Sequence, residues 1–277
     1  MSGALIAFPA KKPMGRILAI ASGKGGVGKT FIAVSLARAL AEAGDKVLLV
    51  DGDFGLANVD IQLGVQPELN LGHVMNGQAT LAEAVVRIAG GAASPGGFDV
   101  LPGSNGVAAL ADLAPRDVQR MAAGIATLSF SYDRVIVDLA AGIGHGVLKL
   151  AAEADDVLVI AQDDLSSLTD GYAFVKLLRG RQQSARIGIV ANRVKSGAEA
   201  NRIQQAFGRA CGTYLGFEPA KAGRIHEDAH VKAAVRAQTL LSRHAPDAVA
   251  LADIEALGRL IRSGKAFETR SIQASRA

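Results

Sequence analysis

The chain has 277 residues, a net charge of +4, 49% hydrophobic residues and a single cysteine. Its length and apolar content suit one sizeable α/β domain, and its longest apolar runs are too short to span a bilayer. Cys211 alone excludes an internal disulfide and a cysteine-held metal cluster within one chain, while the positive balance permits contact with nucleic acid or an anionic membrane without locating a patch.

The opening residues, MSGALIAFPAKK, place their lysines after the apolar stretch, the reverse of a secretory signal, so no export is expected. Residues 1–15 are read as a flexible segment, 16–265 as one folded domain and 266–277 as a polar, disordered tail. The apolar run Ile17-Leu18-Ala19-Ile20-Ala21 predicts a strand, and GKGGVGKT at 23–30 leads from it into a helical pattern that begins at Phe31. Strand, glycine-rich loop and helix in that order define a phosphate-binding loop. Gly23, Gly25, Gly26 and Gly28, with Val27 between them, let backbone N–H groups wrap a polyphosphate against the positive end of the helix, and Phe31 belongs to the same binding set. Lys29 is expected to reach the β and γ phosphates, and Thr30 to offer a hydroxyl to Mg²⁺, so the loop implies a metal as well as a nucleotide. Lys24 adds a second cation where the general pattern accepts any residue.

Further along, Lys46 to Val50 predicts a buried strand ending in Asp51 and Asp53, two carboxylates that alternation points to opposite sides. In open parallel sheets ligands bind at the carboxyl ends of strands, so one of the pair should face the phosphates. Arg134 to Asp138 ends in another carboxylate, placed to hold Mg²⁺, and the glycines at 142 and 144 are expected to let a backbone N–H approach the γ-phosphate. Apolar runs also recur at 98–101, 157–161 and 186–192, the last ending in Asn192, with helical patterns between most of them. The expected fold is an α/β P-loop NTPase, a doubly wound, mostly parallel sheet with helices on both faces. Arg179, Arg181 and Arg186 sit around a helix end, where cations suit the helix dipole. Residues 251–262 carry apolar side chains at helical spacing with late cations, a pattern that fits either a membrane surface or packing on the sheet.

Together Lys24 in GKGGVGKT, DGDFGLANVD at 51–60 and VDLAAGI at 137–143 resemble the MinD/ParA family of deviant Walker A ATPases, over about residues 15 to 262. GLANVDIQLGVQPELNLGHVMNG at 55–77, LPGSNG at 101–106, SLTDGYAFVKLL at 167–178 and VKAAVRAQ at 231–238 are most similar to its flagellar FlhG/FleN branch. The resemblance implies a Mg²⁺-dependent ATPase with ATP between two copies of the chain and Lys24 of each reaching the other's phosphates. It implies Asp53 as the residue orienting the attacking water, Asp51 near the metal, Asp138 as the Walker B carboxylate, and Asn192 reading the adenine edge through its amide donor and acceptor. The implied setting is the cytoplasm, with the inner membrane or a cell pole as peripheral sites. The implied partners are a second copy and a flagellar regulator or SRP-type GTPase, met through a surface at Thr169 to Tyr172. A partition ATPase on nucleoid DNA and a division regulator on the membrane stay open as alternatives. The chain departs from the pattern at Ile225-His226-Glu227-Asp228, where the family often has a proline after the isoleucine, and at Asp163-Asp164-Leu165, where the branch often has Asp-Glu-Pro.

Overall fold

A computed structural model describes residues 14–53, 55, 57–88, 95–104 and 113–269. In chain order the elements are β1 (Arg16–Ala21), α1 (Lys29–Glu42), β2 (Val47–Gly52), α2 (Val59–Leu63), α3 (Leu71–Met75), β3 (Val86–Ile88), β4 (Phe98–Leu101), α4 (Pro115–Ser129) and β5 (Arg134–Leu139). They continue with α5 (His145–Ala152), β6 (Asp156–Ala161), α6 (Leu165–Arg181), β7 (Arg186–Val194), α7 (Gly197–Leu215), β8 (Ala220–His226), α8 (Ala229–Arg236), α9 (Leu241–His244) and α10 (Val249–Arg262). The eight described strands form one sheet in the order β3-β4-β2-β5-β1-β6-β7-β8, parallel throughout except for β3, which runs antiparallel along the edge.

The strands are apolar on both faces because both faces are covered. In β1, Ile17, Ala19 and Ala21 join a core with α4, α5, α6 and α7, while Leu18 and Ile20 join one with α1 and α10. That alternation makes the fold doubly wound, as the sequence predicts. Successive strands β5 and β6 lie on opposite sides of β1, so the chain reverses direction across the sheet beside the phosphate-binding loop, where ligands of such sheets bind.

The stripe at 251–262 resolves in favour of packing. Leu251, Ile254, Leu257 and Ile261 of α10 are buried in the core shared with α1, so this apolar face is not free for a membrane. Among the described residues no helix is long and apolar enough to cross a bilayer. Residues flanking the expected domain make contacts with it. Gly15 donates its N–H to the Ser129 carbonyl at 3.0 Å, and Ala266 and Phe267 are buried in a short 3-10 turn beside β7 and β8. Residues 1–13 and 270–277, and with them most of the two expected flexible ends, lie outside the described residues, as do the last two residues of LPGSNG.

Candidate nucleotide site

The loop between β1 and α1 opens a cavity of about 630 Å³, within the range of small-molecule sites. Gly25, Gly26, Gly28, Lys29, Thr30 and Phe31 line it, together with Asp53, Asn58, Asn192 and residues 225–228. Gly26 and Gly28 have φ of +74° and +95°, a left-handed backbone that side chains oppose, and α1 begins directly at Lys29. Close packing also demands glycine at Gly28, where a Cβ would come within 2.6 Å of the Asn192 amide nitrogen.

Lys29 is buried, and its ammonium donates to the Ser22 hydroxyl at 3.0 Å. Burial lowers its pKa, opposed by the charges of Asp138 and Asp53, so the cation is held in place by the carboxylates that face it. Asp51 and Asp138 are register partners on the adjacent parallel strands β2 and β5. Burial raises the Asp138 carboxyl to about 7, against the Thr30 hydroxyl that bonds it and reinforced by Asp51. One Asp138 oxygen, Oδ1, is buried without a hydrogen-bond partner. An orphaned carboxylate oxygen with a threonine hydroxyl beside it, at the foot of a phosphate loop, fits a divalent cation. Among the described residues no group of three or more His, Cys, Asp or Glu could hold a metal alone, so such an ion would need the nucleotide's oxygens as further ligands.

Asp51, expected near the metal, bonds the loop that follows β2. Its Oδ1 accepts the Asp53 N–H at 3.1 Å, and its Oδ2 accepts those of Asn58 and Val59 at 3.0 and 3.1 Å. Burial still raises its carboxyl to about 6. Asp51 therefore ties the loop after β2 back on itself and starts α2, which sets where Asp53 stands at the cavity wall.

Four other expected site residues make contacts within the chain. Lys24 does not line the cavity of its own chain; its ammonium donates to Asp164 Oδ1 at 3.2 Å and Ser166 Oγ at 2.8 Å, at the start of α6. Gly23 is likewise a packing position, because a Cβ there would overlap the backbone of Asp170 and Gly171. The Gly142 N–H, expected near the γ-phosphate, donates to the Ser22 carbonyl at 3.0 Å, and it is Ala141 that lines the cavity. Asn192 donates one amide N–H to the Val27 carbonyl at 2.6 Å, leaving its second N–H and its carbonyl oxygen to meet a base.

The Thr169 to Tyr172 stretch, distant from the phosphate loop in sequence, therefore abuts it in space. Neither Thr169 nor Asp170 caps the helix; Asp164 does, accepting the Ser167 N–H at 2.8 Å. Gly23→Ala must separate β1 from α6, so it should lower the melting temperature by several degrees and reduce nucleotide binding together, readable by thermal denaturation with and without ATP. A variant that melts like the parent would contradict that packing.

Gln162, whose amide donates to the Val27 carbonyl at 3.3 Å, and Ser22, which joins Lys29 to the Lys24 carbonyl, also shape the loop. No motif marks either; the only signal is position, at the carboxyl ends of the strands flanking the loop. The arginine cluster is dispersed: Arg179 stacks on Phe217, Arg181 bonds the His145 carbonyl and Arg186 pairs with Asp156.

Fold and cavity together define a P-loop nucleotide-binding protein of the doubly wound α/β class. Residues 18–241 match the CobQ/CobB/MinD/ParA nucleotide binding domain. The chain is 32% identical over 248 residues to the antiactivator FleN of Pseudomonas aeruginosa, covering 90% of this chain and 86% of that protein. It is 30% identical over 249 residues to the flagellum site-determining protein YlxH of Helicobacter pylori, covering 90% and 82%. Among solved structures, the septum site-determining protein MinD of Pyrococcus horikoshii complexed with Mg-ADP superposes with a TM-score of 0.74 at 23% identity, over 91% of this chain and 99% of that one, a likeness of fold. The chain belongs to the MinD/ParA family of P-loop ATPases.

Proposed function

We propose that this protein is an ATP-driven dimerising switch that regulates the number and placement of flagella, with hydrolysis of ATP to ADP and phosphate resetting the dimer. The observation that carries the flagellar reading is that two relatives matched over 90% of the chain are named for flagellar roles, FleN and YlxH. The α10 packing removes the amphipathic segment on which the membrane alternative rested.

In this reading the loop N–H groups and Lys29 bind the phosphates, and Phe31 and Asn192 border the nucleoside end of the cavity. Thr30 and Asp138 would hold Mg²⁺, which would supply neutralisation of charge on the phosphate oxygens. Asp53 orients the attacking water, and Asp51 acts through the loop that carries Asp53. Lys24 leaves Asp164 and Ser166 to reach the phosphates of a second copy, where its charge stabilises the transferring phosphoryl group. Leaving that exposed ion pair is inexpensive, since such pairs contribute about 0–1 kcal/mol. The same departure frees the start of α6, which touches the phosphate loop through Gly23, so nucleotide state and an α6 partner surface are mechanically joined.

Deleting the gene in its host and counting flagella per cell tests the biological reading. The expected result is an altered number or position of flagella with normal chromosome segregation and septa. Unchanged flagella alongside segregation or septum defects would transfer the protein to partition or division.

A further inference from the structure

Ser22 follows β1 at the entrance to the phosphate loop, and it is wholly buried. Its hydroxyl accepts from the Lys29 ammonium at 3.0 Å and donates to the Lys24 carbonyl at 2.7 Å. Its own carbonyl accepts the Gly142 N–H at 3.0 Å, which ties it to the segment after β5. The two lysines of the loop therefore meet at one side chain, although their charges go to different places. Lys29 lines the cavity, whereas the Lys24 ammonium rests on Asp164 and Ser166.

A hydroxyl has one hydrogen to give, and here it is committed to the Lys24 carbonyl, so a lone pair faces Lys29. An ammonium has three N–H groups, and with one fixed on Ser22 the other two are left with a defined direction for phosphate oxygens. Along the path from the Lys29 N–H through the Ser22 O–H to the Lys24 carbonyl each bond polarises the next, and burial keeps water from standing in for Ser22. The bond to the Lys24 carbonyl also fixes the main chain from which the Lys24 side chain swings. We infer that Ser22 is a positioning residue for both cations, aiming Lys29 at the phosphates of its own copy and setting the reach of Lys24 toward those of the second. Ser22 does not itself line the cavity, so it acts through the two lysines. The inference rests on the dimerising switch proposed above, in which Lys24 serves the other copy.

A double-mutant cycle of Ser22→Ala with Lys24→Ala tests it, read as ATP affinity of the dilute single chain and as turnover at saturating Mg²⁺ and ATP. Ser22→Ala should weaken ATP binding about tenfold with or without Lys24, because Lys29 is misaimed in both backgrounds. Its cost in turnover should be about tenfold larger when Lys24 is present than on Lys24→Ala, where one of the two lysines is already gone. Ser22→Thr, which keeps the hydroxyl, should restore most of both. Ser22→Cys, close in shape but a weak donor and acceptor, should behave like Ser22→Ala. A turnover cost equal in the two backgrounds, or a Ser22→Cys variant that matches the wild type in affinity and turnover, would overturn the inference and leave Ser22 a packing residue. If Ser22→Thr is too bulky to fold, the cycle and Ser22→Cys decide it. Should Lys24→Ala alone leave dimerisation and turnover unchanged, the switch itself falls and takes the Lys24 half of the inference with it, while the Lys29 half is still read from ATP affinity.

Discussion

Lys24→Ala should abolish ATP-dependent dimerisation and lower turnover by about 10²–10³-fold, while the affinity of the single chain for ATP stays within about threefold. The separation of effects follows from where the side chain is. In one copy Lys24 lies outside the cavity lining and pairs with Asp164 and Ser166, so its removal takes no ligand from that copy's own phosphates. It loses an exposed ion pair of at most about 1 kcal/mol, too little to unfold the domain. Asp164 keeps its capping bond to the Ser167 N–H, and its carboxyl is held low first by the Ser166 hydroxyl. The loss appears only in the assembled state, where a cation is missing from the charge that develops on the transferring phosphoryl group. Size measurement, steady-state phosphate release and equilibrium nucleotide binding on the same variant check the three parts. A variant that still dimerises and turns over normally would assign Lys24 to holding α6 and nothing more.

Asp138→Asn should have an equally large effect on turnover, about a hundredfold loss or more, and an opposite effect on the nucleotide-free fold. In the wild type Asp138 and Asp51 have carboxyls raised to about 7 and about 6 from 3.8, chiefly by burial. A raised carboxyl binds its proton more tightly in the folded state than in the unfolded one. The stability it contributes is therefore full below about pH 4 and lost as pH rises through the folded value, so the nucleotide-free protein weakens between about pH 4 and pH 7. An amide at Asp138 removes one ionising group from that interior. The nucleotide-free variant should melt a few degrees above the parent at pH 8, and its melting temperature should depend less on pH across that window. Mg²⁺ with ATP should raise the parent's melting temperature at pH 8 more than the variant's, since the variant lacks the orphaned carboxylate oxygen. A variant that melts below the parent at pH 8 with the same pH slope would show that the Asp138 charge is already compensated by Lys29.

The parts of this site legible in the sequence are those whose chemistry is local. A phosphate loop is a run of consecutive residues, and β1, the loop and α1 are read from glycine spacing and apolar periodicity alone. The carboxylates ending β2 and β5 are legible for the same reason, because a buried strand that stops at an aspartate needs no knowledge of its neighbours. Relations between distant segments are not written in any pattern. Asp51 turns back to bond the N–H groups of Asn58 and Val59, Gly23 is small because Asp170 and Gly171 press on it, and Asn192 is committed to Val27 from 165 residues away. The short edge strand β3 and β8, whose AKAGRIH carries glycine and charge, lack a readable period; they are strands because a neighbour offers them a ladder. The stripe on α10 is periodic whichever surface it meets, so only the packing against α1 decides between membrane and core.

Light scattering of the wild-type chain with Mg²⁺ and either ATP or ADP decides whether the third phosphate sets the switch. A switch of that kind gives a mass near twice that of the 28.5 kDa chain with ATP and the single-chain mass with ADP. The same mass with both nucleotides, whether one chain or two, would contradict it.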